Sequence, residues 1–489
     1  MLSVGTLVFF TDRMKSCIRF LSVLLYAGAG TAALADVQTN RWVRPAGGDP
    51  RASVASNWSL RHVPTAEEVV LFTARSARSA IWDAAAPHTV AGWVQERGYV
   101  AIVTFESGPN ESFRTMTING DMELFGGALT HPVNGDSEKY WLSLDIKGNC
   151  HIGESARISA SGKGYSPGKG PGAGLMPGGG ASHGGQGAPK TQSVDVNRQT
   201  VYGSVLHPHE SGSGGTAREG SPHGPNGGGV ILMKVAGDLS VDGLIRADAD
   251  SRDIDDANCG GASGGSIELQ VHGRLKLGDK ARIAANGGDG FHDGAGGGGG
   301  GRIAIYAPSK EDVQNYASNS FYRDRIFASG GTGDTKFRKD PGKNRHVHGA
   351  GGTVYVQGIE QTVVPGSGRC VLTSWSHPSL AATCLPSNTG NLLELQDAEV
   401  IVSRNGYLSL GAPLQVRALG FLENGAADLN MTALIAGNVW MKTRDNKLDA
   451  MGIYRDSSVS APLSPIFFNS GSVEIRPYFT PIVAPESSN

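Results

Sequence analysis

Little in the sequence points to a particular chemistry. Charge is nearly balanced, with 43 lysines and arginines against 45 aspartates and glutamates in 489 residues, so the whole molecule does not attract nucleic acid. The five cysteines show no CxxC spacing, which argues against a zinc site. No Ser-His-Asp signature is visible, and the glycine runs lack the GK[ST] ending and the strand-to-helix context of phosphate or dinucleotide loops. The sequence therefore carries no recognisable enzyme signature.

Long apolar runs are absent except near the N-terminus. Lys15 and Arg19 precede an apolar stretch over residues 20–34, which ends in the small-residue sequence ALA at 33–35. This is the pattern of a secretory signal peptide, and it predicts cleavage before Asp36. No later stretch approaches the roughly 20 apolar residues of a membrane span. We therefore predict a secreted or cell-surface protein, periplasmic or extracellular, with no transmembrane segment in the mature chain.

Helical periodicity is also missing, and a repeat of strands takes its place. Residues 229–250, GVILMKVAGDLSVDGLIRADAD, superpose on residues 265–286, GSIELQVHGRLKLGDKARIAAN, after one short gap. Apolar residues alternate within each copy, which is the spacing of a β-strand. Val230 to Ile267 is 37 residues and Ile267 to Ile303 is 36. A period of this size indicates stacked supersecondary units.

Glycine is abundant, with 71 residues, which is about double the usual share of roughly 7%. Each repeat holds three short strands separated by single glycines that permit sharp corners, and this favours an all-β parallel solenoid. Stacking at about 4.8 Å per coil buries the apolar face of each coil, so Ile231, Ile267 and Ile303 should point inward, one above another. An antiparallel sandwich is the alternative, although Asn-Gly hairpin signals are few.

Glycine-rich runs accompany these strands, including GKGYSPGKGPGAG from Gly162 and GGGGGGRIAIYA at 296–307. In these runs the chain resembles glycine-rich secreted or surface proteins with a pectate-lyase-like or autotransporter-like architecture. The similarity covers approximately residues 141–358, and SNWSLRHVPTAEEVVLF from Ser56 resembles the entry region of such proteins. The resemblance implies a single-stranded right-handed parallel β-helix. It implies no activity, because the pectate-lyase signature is absent and a fold alone does not carry chemistry.

These patterns divide the chain into four parts. They are a signal peptide at 1–35, an N-terminal β-rich cap at 36–140, a glycine-rich solenoid at 141–358, and C-terminal β coils with a cap at 359–489. Long glycine-rich loops over 162–229 are expected to be flexible where nothing ties them down. Four tryptophans of the cap are expected to pack in the core rather than to form sugar platforms: Trp42, Trp58, Trp82 and Trp93.

Acidic residues follow two successive repeats. Asp248 and Asp250 end one copy, and Asp289 follows the next. If the copies stack in register, their carboxylates leave the solenoid at one edge and could share a calcium ion. The spacing matches no EF-hand or nonapeptide calcium repeat, so a solvated acidic loop is the alternative.

A basic insertion separates the strand at Arg302 from the strand at Thr353. It contains Arg323, Arg325, Lys336, Arg338, Lys339, Lys343 and Arg345. Arginine forks suit carboxylate or sulfate groups, so the insertion predicts binding of an acidic polysaccharide. Solubilising surface charge is the alternative.

Histidines also recur in the glycine-rich part, in HPHESG at 207–212 and RHVHG at 345–349. Eliminative cleavage of a uronic acid polymer needs a group that neutralises the carboxylate, a base and an acid. Four residues have the required types: Tyr202, Arg345, His346 and His348. They are the catalytic candidates, although histidine also serves simply as a polar surface residue.

Cysteines are consistent with export. Cys370 and Cys384 flank a short loop and form the predicted disulfide, whereas pairing of Cys150 with Cys259 stays open. The leading hypothesis is a secreted or cell-surface solenoid that binds or organises an extracellular, acidic polysaccharide. The alternative is a polysaccharide lyase or hydrolase that acts in a groove along the solenoid.

Overall fold

The structure, a computed structural model, describes residues 37–76, 78–190, 201–216, 224–250, 259–291, 294–307, 324–333 and 348–357. Further along it describes residues 395 and 398 and the strands between 369 and 468. Two short 3-10 helices occur, at Ala55–Asn57 and Ala74–Ser76. Within these ranges no helix is long and apolar enough to span a membrane. The proposed signal peptide lies outside the described residues, so export stays a prediction.

Most strands belong to three sheets. Sheet 1 contains β1 (Thr39–Arg41), β2 (Val69–Phe72), β5 (Gly92–Gln95), β8 (Met122–Leu124), β11 (Cys150–Ile152), β14 (Leu239–Val241) and β17 (Leu275–Leu277). Sheet 2 contains β4 (Thr89–Val90), β7 (Met116–Ile118), β10 (Leu142–Ile146), β13 (Val230–Val235), β16 (Ser266–Val271), β19 (Arg302–Tyr306), β21 (Thr353–Gln357), β22 (Arg369–Thr373), β24 (Glu399–Ser403), β27 (Ala418–Leu422) and β30 (Val439–Lys442). Sheet 3 contains β3 (Ala80–Trp82), β6 (Ile102–Phe105), β9 (Gly127–Thr130), β12 (Ala156–Ser159), β15 (Leu244–Arg246), β18 (Arg282–Ala284) and β20 (Ile326–Phe327).

Two smaller parallel sheets lie in the C-terminal part of the chain. One contains β23 (Thr383–Leu385), β25 (Tyr407–Leu410), β28 (Ala426–Asp428) and β31 (Ile453–Tyr454). The other contains β26 (Leu414–Val416), β29 (Ala433–Ile435) and β32 (Ile466–Phe468). The boundary drawn at residue 358 stays a prediction.

The chain passes through sheets 2, 1 and 3 in turn, and we call each passage a rung. From β2 to β19, neighbouring strands of a sheet are three strands apart in sequence. Because these pairs are parallel, each rung repeats the one before it, as the sequence period indicates.

The predicted fold class is nevertheless wrong as stated. Strand β21 pairs with β22 in antiparallel fashion, with Thr353 opposite Leu372, which interrupts a single parallel β-helix. The N-terminal strands β1 to β9 belong to the same three sheets as the later rungs, and the division at residue 140 stays a prediction. The structure shows three sheets, parallel except for the β21–β22 pair, in a β-rich, solenoid-like arrangement, without the single right-handed β-helix that the resemblance implied.

The apolar core follows the alternation seen in the sequence. Ile231 is in register with Ile267, and Ile267 with Ile303, and none of the three is exposed. The predicted inward column is therefore confirmed. All four tryptophans expected in the core are also fully buried: Trp42, Trp58, Trp82 and Trp93.

Polar side chains at the corners tie one rung to the next. The Asn149 N–H donates to Asp121 Oδ1 at 2.7 Å, the Asp238 N–H donates to Asn149 Oδ1 at 2.9 Å, and the Arg274 N–H donates to Asp238 Oδ1 at 2.9 Å. Each side chain therefore satisfies a backbone group that the turn leaves unpaired. We call such a series a corner ladder.

Glycine-rich segments hydrogen-bond to one another, and we call them the glycine bundle: residues 162–189, 211–216, 224–229, 259–265, 287–290, 294–301, 328–333 and 348–352. The N–H groups of residues 298–301 donate, at 2.7–2.9 Å, to three other segments: to Gly288 and Ala285 of one, to Ala181 of a second and to Ala350 of a third. Extended helices of the polyproline II type have three residues per turn and no internal hydrogen bonds. Their successive N–H groups therefore point to different neighbours, as they do here.

At many glycines of the bundle the packing leaves no room for a side chain. A Cβ added at Gly299 would lie 1.9 Å from Gly185 O, and one at Gly352 would lie 1.9 Å from Gly301 O. The glycine-rich loops were expected to be flexible where nothing ties them down, and in the described residues that condition is not met. Glycine is required there because backbones touch, and hydrogen bonds hold the segments in place.

Candidate functional site

The outer face of sheet 2 carries a group of polar and aromatic side chains. In β16, Ile267, Leu269 and Val271 are buried in the core, so Glu268 and Gln270 lie on the opposite face. In the next strand, Tyr306 is in register with Gln270. The alternation that builds the core therefore also places these three polar residues together outside it.

A segment of the chain, residues 201–212, packs across this face. The Arg302 Nε donates to Tyr202 O at 2.8 Å, the Tyr306 hydroxyl donates to Leu206 O at 2.7 Å, and the Ser266 hydroxyl donates to Glu210 O at 2.6 Å. Three different positions of the sheet thus fix the backbone of the segment that carries HPHESG.

His207, Glu268 and Tyr306 form the centre of the site, and we call them the outer-face cluster. The His207 ring lies nearly parallel to the Tyr306 ring, with centroids 5.8 Å apart and an interplanar angle of 14°. Its Nδ1 is 3.6 Å from Glu268 Oε2, and its side chain is 64% exposed while that of Glu268 is 11% exposed. Gln270 Nε2 donates to the other Glu268 oxygen at 2.6 Å. A fixed carboxylate therefore lies beneath a solvent-facing ring.

A second histidine–carboxylate pair follows in the same segment. His209 Nδ1 lies 2.7 Å from His207 O and therefore donates to it, and His209 Nε2 lies 3.6 Å from Glu210 Oε1. Nearby, Glu138 accepts a hydrogen bond from the Ser211 N–H. Burial raises the pKa of Glu138, against the effect of the Ser211 hydrogen bond. The site thus gathers three carboxylates and two exposed imidazoles.

Tyr202, a catalytic candidate from the sequence, belongs to this segment, and its side chain is buried. Its hydroxyl donates to Ser211 O at 2.6 Å and lies 2.8 Å from Ser213 Oγ, and its ring packs against His183. Burial raises the pKa of Tyr202 well above its usual value. Tyr202 therefore holds the segment in place as a neutral phenol and is not positioned to take a proton from a polymer in solution.

His348 is the one other catalytic candidate within the described residues, and it does not lie beside Tyr202. His348 is buried in the glycine bundle, where its Nδ1 accepts a hydrogen bond from the Gly333 N–H at 3.1 Å. Arg345 and His346 lie outside the described residues. Their predicted catalytic roles stay predictions, and the structure brings none of the described candidates together.

Among the seven basic residues of the insertion, the structure describes Arg325 alone. Arg325 Nε donates to Gly278 O at 2.9 Å, and Nη2 lies 3.1 Å from Asp279 Oδ1. These contacts fix it against the turn that precedes β18. The remaining predicted ligand-binding residues lie outside the described ranges: Arg323, Lys336, Arg338, Lys339, Lys343 and Arg345.

The proposed calcium ligands make structural contacts. Asp248 Oδ1 accepts the Asn286 N–H at 2.7 Å, and Oδ2 pairs with Arg246. Asp289 Oδ1 accepts the Thr332 N–H at 2.7 Å, while Asp250 donates its backbone N–H to Asn226 O at 2.9 Å.

Asp248 and Asp289 therefore serve as corner-ladder residues. Among the described residues, no three histidine, cysteine, aspartate or glutamate side chains are grouped so that they could hold a metal ion. Calcium binding stays a prediction without a described ligand set.

The proposed disulfide also stays a prediction. Cys370 lies in β22 of sheet 2, whereas Cys384 lies in β23 of one of the smaller sheets. Cys150 is buried in β11, and burial raises the pKa of its thiol to about 12.

Sequence reasoning singled out His207, His209 and Glu210 but missed Glu268 and Tyr306. A polar residue at an outward strand position is common and carries no signal by itself. The useful signal was the 36-residue offset between the copies, which places Gln270 beside Tyr306 and Glu268 beside Ala304.

Comparison with known proteins gives no relative: the chain matches no family model, no curated protein and no solved structure. The resemblance to pectate-lyase-like or autotransporter-like β-helix proteins is therefore not upheld, and the antiparallel pair described above argues against it. The function has to be inferred from the geometry of the chain itself.

Proposed function

We propose that this protein binds a polysaccharide outside the cell, at the outer face of sheet 2. The observation that carries the proposal is the outer-face cluster, in which the Glu268 carboxylate lies beside the paired rings of His207 and Tyr306. Sugar hydroxyls donate hydrogen bonds to carboxylates, and flat amphipathic rings offer a large contact surface of little flexibility. The extracellular location rests on the signal-peptide pattern.

The surrounding structure supports a binding role. Hydrogen bonds from three sheet positions hold the segment with His207 in place, so little conformational entropy is lost when a ligand binds. Parallel strands at a spacing of about 4.8 Å also give a linear polymer a regular surface to follow.

Binding is favoured over the lyase or hydrolase alternative. Of the described catalytic candidates, Tyr202 and His348 are both buried, and each makes hydrogen bonds inside the protein. An eliminative reaction needs its base and acid within reach of the polymer, and the described part of the chain offers no such set from the candidates.

Affinity measurements on a panel of soluble polysaccharides, neutral and acidic, test the proposal. We expect one or more polymers to bind, and His207→Ala and Glu268→Gln each to weaken that binding roughly tenfold, about 1.4 kcal/mol. His272→Ala is the matched control, because His272 is an exposed histidine just beyond the end of β16. Its affinity should equal that of the parent protein.

Two results would overturn this function. One is failure of the parent protein to bind any polymer in the panel. The other is equal affinity of the parent, the His207→Ala protein and the His272→Ala protein. Release of unsaturated uronate during the incubations would instead favour the lyase alternative.

A further inference from the structure

Arginines follow one another on the outer face of sheet 3, on four consecutive rungs. Strands β12, β15 and β18 contain Arg157, Arg246 and Arg282, and Arg325 immediately precedes β20. The neighbouring isoleucines of these strands are buried in the core at 0–2% exposure: Ile158, Ile245, Ile283 and Ile326. The arginines therefore lie on the outer side of the sheet, and we call them the arginine face.

The register fixes their spacing. Arg157 is aligned with Leu244, and Leu244 with Arg282, so Arg157 and Arg282 are two strands apart, roughly 10 Å. Arg246 lies on the strand between them, two residues further along. The Ile283 N–H donates to Arg325 O at 2.7 Å, which continues the series by one more strand.

Two of the four charges are compensated within the protein. Arg246 pairs with Asp248, whose side chain is only 9% exposed, and Arg325 pairs with Asp279. Arg282 donates only to backbone oxygens, those of Asp279 and Ala281.

The other two charges remain available on the surface. In the described part of the chain, neither Arg157 nor Arg282 forms an ion pair, and Arg157 is exposed. Because the spacing is close to the Debye length of about 8 Å at physiological salt, neighbouring guanidinium groups act on the same polyanion.

We propose that the arginine face binds a linear acidic polysaccharide whose carboxylate or sulfate groups repeat at about 5–10 Å, the spacing of one to two strands. The identification of the polymer as a polysaccharide rests on the proposed function, but the arginine face is a different surface of the molecule. Guanidinium forks bind carboxylate and sulfate groups through paired hydrogen bonds. Duplex nucleic acid is disfavoured because the formal net charge is −2, which provides no general attraction to phosphates.

The double variant Arg157→Gln/Arg282→Gln tests the proposal, since neither side chain is ion-paired in the described structure. Arg246 is left intact because its loss would leave the buried Asp248 carboxylate without its cation. Arg41→Gln/Arg274→Gln is the matched control, with the same charge change at exposed positions in β1 and before β17. The probes are polygalacturonate, dextran sulfate, neutral dextran and a DNA duplex, each measured over a range of salt concentrations.

We expect the arginine variant to bind polygalacturonate or dextran sulfate at least tenfold more weakly at low salt, with a reduced salt dependence, and the control variant to bind as the parent does. Equal losses in both double variants would overturn the proposal, as would tighter binding of the DNA duplex than of either acidic polysaccharide. The two proposals can fail independently, because His207→Ala and Glu268→Gln test the outer-face cluster and leave the arginine face unchanged.

Discussion

Replacing Gly299 with alanine should destabilise the protein strongly, because of contacts that only a glycine permits. The new Cβ would lie 1.9 Å from Gly185 O, whereas real Cβ atoms essentially never approach closer than 3.0 Å, so the two segments must separate by about 1.1 Å. That shift would lengthen the Gly185 N–H bond to Gly300 O from 2.9 Å to about 4 Å, beyond hydrogen-bond range.

The expected cost follows from these contacts. Overpacking costs about 1–3 kcal/mol, and each buried group left without a partner adds about 1–3 kcal/mol. With both the Gly185 N–H and the Gly300 carbonyl left unpaired, the free energy of unfolding falls by about 3–9 kcal/mol. Urea denaturation followed by circular dichroism measures the change.

Two other glycines provide controls. Gly288 belongs to the same bundle, but its added Cβ meets nothing closer than 3.0 Å, so Gly288→Ala should cost under about 1 kcal/mol. Gly168 has φ +69° and open space around it, so Gly168→Ala should cost about 1–2 kcal/mol from backbone strain alone. If Gly299→Ala is no less stable than Gly288→Ala, the tight packing of the bundle is refuted.

Two further predictions concern buried titratable groups. Asp248→Ala should cost about 1–3 kcal/mol because the Asn286 N–H loses its acceptor, and Asp248→Asn should cost less. Urea denaturation measures both, and equal costs of the two variants would contradict this assignment. Burial lowers the pKa of His131 and of His183 to about 3, so the unfolded chain binds protons below about pH 6.5 that the folded chain does not. The free energy of unfolding should therefore fall by about 1.4 kcal/mol per histidine per pH unit below pH 6.5. Urea denaturation at pH 7 and pH 5 should show a smaller fall for His131→Gln than for the parent protein. An equal fall in both proteins would refute the role of His131.

The strand repeat was predictable because its signal is local. Alternating apolar residues and a constant offset place Ile267 between Ile231 and Ile303 without any knowledge of the rest of the chain. The buried tryptophans followed from the same logic, since large rings near regular strands fill the core.

The glycine bundle was not predictable, since glycine has no side chain with which to mark one face of a segment. Runs such as residues 296–301 look the same whether they are solvated loops or packed backbones. What distinguishes them is hydrogen bonding to distant segments, as between Gly300 and Ala350, which no local pattern encodes. The aspartates were ambiguous for a similar reason, because a carboxylate that accepts a backbone N–H in the next rung has the same spacing as one that could bind calcium.

The glycine bundle also bears on how the protein folds. In most stacked repeat proteins each unit contacts only its neighbours, so the chain can assemble from any point and fray from its ends. Here Gly185 bonds to Gly300, and Ala350 bonds to Gln186, so contacts join segments over a hundred residues apart. Closing such long loops slows folding, but it makes distant rungs depend on one another, and the described part of the stack should unfold as one cooperative unit.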